Sequence, residues 1–249
     1  MTTVVVEGYL RTPFRTMHLQ PHPACLAAFL GLFVACDPKP ASDPTAGTGS
    51  SEPTATAPQL APASEEDAWR KPEVLVSIIP PVVGKSVAVL FAGDGYYAFK
   101  LVEAGARVIA IEPDGAQAGR LREAAAKRGI GTDRLEVRQV AQGTGLNPGE
   151  ADMAFCSRSY LTVPDRINYF RQVRSALKSP APLVLVDFAP AESPVGPPVS
   201  ERISEQAVMD EMELLGCTDI GAYGKKLPYQ WVVIAMDFVP DPDAVEVAP

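Results

Sequence analysis

Short apolar segments alternate with amphipathic segments from about Trp69 to Phe238, and this alternation predicts an α/β fold. Apolar runs of five or six residues flanked by glycine or polar residues are typical of strands buried on both faces of a sheet. Five such strands are predicted: Ser86–Phe91, Arg107–Ile111, Leu135–Val140, Ala151–Cys156 and Leu183–Phe188. Two final strands are separated by a Gly-Lys-Lys-Leu-Pro turn and predict a hairpin: Cys217–Tyr223 and Gln230–Phe238.

Helices are predicted between the strands, where apolar side chains recur at helical spacing. They cover Pro72–Ile79, Tyr96–Ala104, Asp114–Arg128, Asp165–Leu177 and Ser204–Leu215. Glycine, the residue most often found just beyond a helix C-terminus, follows three of them. This order predicts a doubly wound, mostly parallel seven-stranded sheet with an antiparallel hairpin at its C-terminal end. In such sheets ligands bind outside the carboxyl ends of the strands.

The chain before this region has a different composition, which predicts an export signal and a spacer. Residues 24–36 read ACLAAFLGLFVAC. A membrane-spanning helix needs about 20 apolar residues, so this shorter run fits the core of a signal peptide, with Met1 or Met17 as the start. Residues 37–66 mix Pro, Ala, Ser, Thr and Gly. Such a segment buries too little apolar surface to offset its ordering entropy and predicts a flexible spacer.

The end of the predicted signal, Leu-Phe-Val-Ala-Cys, resembles the lipobox of bacterial lipoproteins, although Phe33 stands where Leu is usual. In that group the signal is cleaved just before a cysteine that then receives lipid. The resemblance implies lipidation of Cys36 and a protein anchored in the bacterial cell envelope. A secretory signal without lipid and a buried apolar helix remain open as alternatives. The predicted organisation is a signal at 1–36, a spacer at 37–66, a folded domain at 67–239 and a tail at 240–249.

Charge and composition exclude several classes of function. The 249 residues include 22 basic and 30 acidic side chains, and the isoelectric point is about 4.9. Nucleic acid is not expected as a partner, because phosphate binding needs clustered Lys and Arg. Only His18 and His22 exist, both before the folded domain, which excludes Ser-His-Asp hydrolysis and most zinc catalysis there. No metal site is predicted, and Cys156 and Cys217 are expected to be buried thiols.

The candidate chemistry lies in the turn after the first strand, Ala92-Gly93-Asp94-Gly95. Glycine lets a backbone approach a ligand closely and adopt conformations that cost other residues about 1–2 kcal/mol. The N-terminus of the following helix offers free N–H groups to an anion. The second strand ends at Glu112, where a carboxylate can accept both hydroxyls of a ribose. The glycine turn and Glu112 together favour a nucleotide-binding site over a turn that only joins the strand to the helix.

Four segments resemble class I S-adenosylmethionine-dependent methyltransferases: GDGYY, IEPD after the second strand, ADMAF in the fourth, and SYLTVPDRINYFRQVRSALK. Three later segments are similar to a bacterial subgroup with exported and lipoprotein members: LVLVDFAP, SPVGPPVSERISEQAVMDEMELLGC and LPYQWVVIA. The resemblance covers nearly the whole folded domain. It implies S-adenosylmethionine as cofactor, transferring its methyl group to a small molecule or an exposed substrate.

The resemblance also implies which residues hold that cofactor. The first loop would hold its methionine portion, the acid of the second strand its ribose, and the segment after the third strand its adenine. By position these cofactor-binding residues are Phe91, Gly93, Asp94, Gly95, Glu112, Ala141 and Gln142.

The first motif is degenerate in two positions. The family usually has an acid at the end of the first strand and a glycine two positions later, where this chain has Val89 and Phe91. A bulky side chain at the second position would hinder the approach of the cofactor.

No general base is assigned from the sequence. Where the subgroup usually has Tyr-His-His, this chain has Tyr160-Leu161-Thr162. Direct methyl transfer can rely on proximity and orientation alone. Asp187, Tyr96, Tyr97 and Tyr160 are candidates for contact with a ligand, and packing or loop structure explains each of them equally well.

A second function remains open beside the enzyme. S-adenosylmethionine is made in the cytoplasm, so an exported domain with an eroded motif also fits a degenerate fold that binds a ligand or a partner without catalysis.

Overall fold

The structure, a computed structural model, describes residues 64–237. Its seven strands are β1 (Ser86–Leu90), β2 (Arg107–Glu112), β3 (Leu135–Gln139), β4 (Met153–Ser157), β5 (Leu183–Phe188), β6 (Asp219–Ala222) and β7 (Gln230–Met236). They form one sheet in the order β3-β2-β1-β4-β5-β7-β6. The first five strands are parallel, and β7 pairs antiparallel with both β5 and β6. The predicted fold class is confirmed.

Helices cover both faces of the sheet. They are α1 (Asp67–Arg70), α2 (Pro72–Ile78), α3 (Tyr96–Glu103), α4 (Gly115–Lys127), α5 (Arg166–Ala176) and α6 (Glu205–Leu214), with 3-10 turns at Tyr160–Thr162 and Val199–Glu201. Two begin at side-chain caps, where Asp114 accepts a hydrogen bond from Gln117 N and Ser204 accepts one from Ala207 N. The five predicted helices are confirmed to within one residue at each end.

Alternating side chains of the strands belong to two separate cores. In β1, Val87 and Val89 join the core under α2, α3 and α4, whereas Ala88 and Leu90 join the core under α5 and α6. Period-two alternation of an entirely apolar strand is what a sheet covered on both faces requires. Cys156 and Cys217 are buried free thiols in the second core, as predicted.

The register brings the ends of the central strands to one edge. Leu90 lies opposite Ile111 on one side and Cys156 on the other, and Ser157 lies opposite Val186. The residues that follow in each strand or loop therefore meet at this edge. In the chain β1 is followed by β2, which lies on one side of it, and β4 is followed by β5, which lies on the opposite side. The chain therefore leaves β1 and β4 in opposite directions at this edge, and ligands bind at such a point in sheets of this kind.

Several predictions fall outside residues 64–237. They are the signal, lipidation of Cys36, the spacer up to residue 63, and the tail. Within the range that the structure describes, no helix is long and apolar enough to cross a membrane.

Candidate functional site

A cavity of about 530 Å³ opens above the carboxyl ends of β1, β4 and β5. Its walls come from the turn after β1, the start of α3, the segment after β4 and the loop after β5. Five of the lining residues are discussed below: Arg70, Phe91, Gly93, Tyr97 and Asp187. Its volume is within the range of small-molecule sites, and it lies where the fold places ligands.

The two glycines of the turn after β1 have different functions. Both have positive φ, 57° at Gly93 and 81° at Gly95. A Cβ on Gly95 would lie 2.2 Å from Cδ1 of Leu121, so this glycine lets the turn pack closely on α4. A Cβ on Gly93 would meet no atom closer than 3.9 Å, and Gly93 lines the cavity. Gly93 therefore gives a ligand access to the backbone, whereas Gly95 serves packing.

Phe91 adopts the backbone conformation of a glycine. Its φ is 53°, in the left-handed region, which costs a residue with a side chain about 1–2 kcal/mol. Its ring packs on Tyr169 of α5 with centroids 5.4 Å apart. The cavity remains open beside this ring, so the bulky side chain has not closed the space above the turn.

Glu112 holds the glycine turn from below. Its Oε2 accepts a hydrogen bond from the Gly93 N–H at 2.7 Å, and its Oε1 accepts one from the Asp114 N–H at 2.9 Å. Charge-assisted hydrogen bonds contribute about 1.5–3 kcal/mol each. The side chain is 4% exposed and does not form part of the cavity wall. Since a carboxylate has about four lone-pair sites, each oxygen still has room for another donor.

The predicted site residues are therefore only partly brought together. Phe91, Gly93 and Asp94 line the cavity, while Gly95 and Glu112 support it from beneath. Ala141 and Gln142 are exposed and lie outside the cavity lining. Contact of the last two with adenine stays a prediction.

The three tyrosines have three different environments. Tyr97 lines the cavity, and its hydroxyl donates to Oε1 of Gln230 at 3.4 Å. Burial raises the pKa of Tyr97 to about 12, so it is a neutral donor at physiological pH. The Tyr96 hydroxyl instead donates to Asp67, and the Tyr160 hydroxyl donates to Glu211 within the second core. Only Tyr97 lines the cavity.

Asp187 is the acidic group at the end of β5. Its Oδ1 accepts a hydrogen bond from the Phe188 N–H at 2.8 Å, and its side chain lines the cavity. Burial raises the pKa of Asp187 from 3.8 to about 6, against the opposing effect of Arg158 and Arg202. A carboxylate with a pKa near neutrality can take up a proton at physiological pH.

Arg70 was missed by the sequence reasoning. It is 1% exposed and lines the cavity, at the end of a four-residue helix before the first strand. The helix is too short to show apolar periodicity, and nothing in the amino-acid sequence indicates that this arginine is buried.

Among residues 64–237, no group of three or more His, Cys, Asp or Glu side chains is placed to hold a metal ion.

Comparison with known proteins gives a result for structure and none for sequence. No family model and no curated protein matches the chain. A SAM-dependent methyltransferase from Aquifex aeolicus is 22% identical with a TM-score of 0.62, covering 67% of this chain and 89% of that one. A putative type 11 methyltransferase from Sulfolobus solfataricus is 19% identical with a TM-score of 0.53, covering 70% of this chain and 95% of that one.

The cyclase SpnF is also similar, at 13% identity with a TM-score of 0.57, covering 69% of this chain and 82% of that one. Identities this low establish architecture and leave activity to be argued from the site. The chain has the Rossmann-like α/β fold of the S-adenosylmethionine-dependent methyltransferases.

Proposed function

We propose that the protein is an S-adenosylmethionine-dependent methyltransferase. The observation that carries this proposal is the open cavity beside Gly93, above a turn whose left-handed backbone is held by Glu112. A plain connection between strand and helix needs neither the open space nor the buried carboxylate beneath it.

The residues present fit the cofactor. Gly93 leaves its Cβ position free, so a ligand can lie directly on the backbone of the turn. Glu112 lies behind the cavity wall and both of its oxygens accept backbone hydrogen bonds, so a ribose hydroxyl would reach it only through the lone pairs that these bonds leave free. When bound, the cofactor supplies a methyl group on a sulfonium, which is already activated for transfer.

The protein itself would contribute position and one proton acceptor. The aromatic residues Phe91, Tyr97 and Phe155 line the cavity and make part of its wall apolar. Asp187 lines the same cavity and, with a pKa of about 6, is ionised at neutral pH. We assign it as the group that would take the proton from an O–H or N–H group of the methyl acceptor.

Calorimetric titration of the full-length protein with S-adenosylhomocysteine tests the proposal. We expect micromolar binding that weakens at least tenfold in Glu112→Ala. Glu136→Ala is the matched control, because Glu136 is an acid of the neighbouring strand β3 that pairs with Arg138 outside the cavity. Absence of heat at millimolar ligand contradicts the proposal and leaves a degenerate fold without cofactor.

Catalysis is tested separately from binding. Transfer of a labelled methyl group to small-molecule extracts, reduced at least tenfold in Asp187→Asn with unchanged S-adenosylhomocysteine affinity, supports an enzyme that uses this carboxylate. Binding with no transfer to any acceptor supports the second function, a ligand-binding module.

Export and anchoring are proposed from the sequence alone. The apolar run at 24–36 and its lipobox-like end support a membrane-tethered lipoprotein of the bacterial envelope, with lipid on Cys36. Membrane association that is lost in Cys36→Ser and sensitive to globomycin supports the tether. Membrane association that survives the substitution contradicts it.

A further inference from the structure

Arg70 is the only cation among the fully buried side chains of residues 64–237. Burying a charge costs several kcal/mol unless partners compensate. The groups that surround this guanidinium therefore indicate the role of its buried charge.

Aromatic rings surround the Arg70 guanidinium without using its hydrogen-bond donors. Its central carbon lies 4.1 Å from the ring centroid of Tyr96, 5.0 Å from that of Trp69 and 5.3 Å from that of Tyr97. Each such contact favours the cation by about 0.5–2 kcal/mol. These contacts favour the charge without a hydrogen bond to any of the three nitrogens.

One carboxylate lies near Arg70, and it compensates the charge only in part. Nη2 of Arg70 is 2.9 Å from Oε2 of Glu66, whose side chain is 41% exposed. None of the three guanidinium nitrogens makes a hydrogen bond of good geometry within the described part of the chain. Arginine carries five N–H donors in a planar fork. Arg70 thus forms part of the cavity wall, and its nitrogens, which are shielded from solvent, carry donors that no described residue uses in a hydrogen bond.

The segment that carries Arg70 is fixed in place. Asp67 accepts hydrogen bonds from the Tyr96 hydroxyl at 2.5 Å and from Lys100 Nζ at 2.9 Å, which ties α1 to α3. The Trp69 ring packs on Phe188 with centroids 5.4 Å apart. A guanidinium held this way loses little entropy when a ligand pairs with it.

We propose that Arg70 is an anion subsite of the cavity, whose guanidinium donates two parallel hydrogen bonds to a carboxylate of the bound ligand. A planar two-oxygen anion matches the fork of arginine. A single negative charge is favoured over a phosphate dianion, because Asp187 and several aromatic rings line the same cavity. This carboxylate belongs either to the amino-acid end of the cofactor, which rests on the proposed function, or to the methyl acceptor.

Two nucleosides distinguish the first source. S-adenosylhomocysteine and 5′-methylthioadenosine share the adenosine and the sulfur, and only the former has the amino-acid end. If Arg70 binds the cofactor, Arg70→Met lowers the affinity for S-adenosylhomocysteine about 10- to 100-fold, the range expected for a charge-assisted pair. Affinity for 5′-methylthioadenosine stays unchanged in the same variant, because that nucleoside has no carboxylate.

An aromatic acid and its amide distinguish the second source. If Arg70 holds the acceptor, both nucleosides bind Arg70→Met as they bind the wild type. Benzoate then raises the melting temperature of the S-adenosylhomocysteine-saturated wild type, but not that of Arg70→Met, and its neutral analogue benzamide has no such effect. If the wild type binds neither nucleoside, the proposed function fails, and the benzoate comparison on the free protein still decides the role of Arg70.

Arg128→Met is the matched control, since Arg128 stacks at 3.7 Å over the Phe99 ring and lies outside the cavity. It should leave all three ligands unaffected. Arg70→Lys keeps the charge but lacks the planar pair of donors, so it should restore only part of the affinity that Arg70→Met loses.

A structural role for Arg70 has a different signature. It predicts that Arg70→Met melts at a lower temperature and loses no ligand selectively. That result, or binding of inorganic phosphate in place of benzoate, overturns the proposal. A variant that is at least as stable as the wild type and loses only the carboxylate ligand supports it.

Discussion

Replacement of Asp187 by asparagine should stabilise the protein at neutral pH and leave its stability unchanged in acid. The pKa of this carboxyl is about 6 in the folded protein, against 3.8 for an ordinary aspartate. Folding therefore favours its protonated form. Its contribution to stability is complete below pH 4 and is lost as the pH rises through 6.

The size of the effect follows from these two pKa values. Their difference corresponds to about 3 kcal/mol of unfolding free energy above pH 7, as an upper limit. Asparagine has nearly the same shape, carries no charge, and keeps an oxygen that can accept the hydrogen bond of the Phe188 N–H. We expect Asp187→Asn to be more stable than wild type by about 1–3 kcal/mol at pH 7.5, and equal to it at pH 4.

Urea denaturation of both proteins at several values between pH 4 and 8 measures this difference directly. Asp152→Asn is a control of opposite sign. Asp152 accepts a hydrogen bond from the Ser86 N–H and pairs with Lys178, and these partners hold its pKa below the usual value. Its replacement should destabilise more at pH 7.5 than at pH 4. A stability difference for Asp187→Asn that does not change with pH, or a loss of stability at pH 7.5, refutes the reasoning about this carboxyl.

Three further predictions concern stability and can be measured by the same denaturation experiments. Phe91→Gly should be more stable than Phe91→Ala by about 1 kcal/mol, because only glycine adopts the φ of 53° without strain; the reverse order contradicts this. Gly95→Ala should cost at least about 3 kcal/mol, since its Cβ would overlap α4, whereas Gly129→Ala, with no atom within 4 Å, should cost only about 1–2 kcal/mol; equal costs contradict this. Glu211→Ala should cost about 1–3 kcal/mol, because it leaves the buried Tyr160 hydroxyl without its acceptor; a cost below 1 kcal/mol contradicts this.

The fold could be predicted from the sequence because its signals are local and repeated. A strand such as β1 is apolar throughout, and that pattern indicates burial on both faces before any partner strand is known. The acid and serine before α4 and α6 mark where those helices begin. By contrast α1 has only four residues, too few for periodicity to identify it.

The candidate site could be predicted only where a motif is contiguous in the chain. The glycine turn and Glu112 follow directly from two strands, and the structure places them in contact through the Gly93 N–H. The burial of Arg70 and the raised pKa of Asp187 depend on residues far away in the chain, so single positions gave no sign of either. The backbone of Phe91 is another such case, since a phenylalanine in a left-handed conformation is not expected from its side chain.

A crystal structure of the protein with S-adenosylhomocysteine tests most directly whether this cavity holds an adenosyl cofactor. We expect the sulfur above the Gly93 backbone and both ribose hydroxyls within hydrogen-bond distance of Glu112, with the Phe91 ring still packed on Tyr169. A ligand bound elsewhere, or a Phe91 ring that occupies the place of the sulfur, contradicts a methyltransferase site at this edge of the sheet.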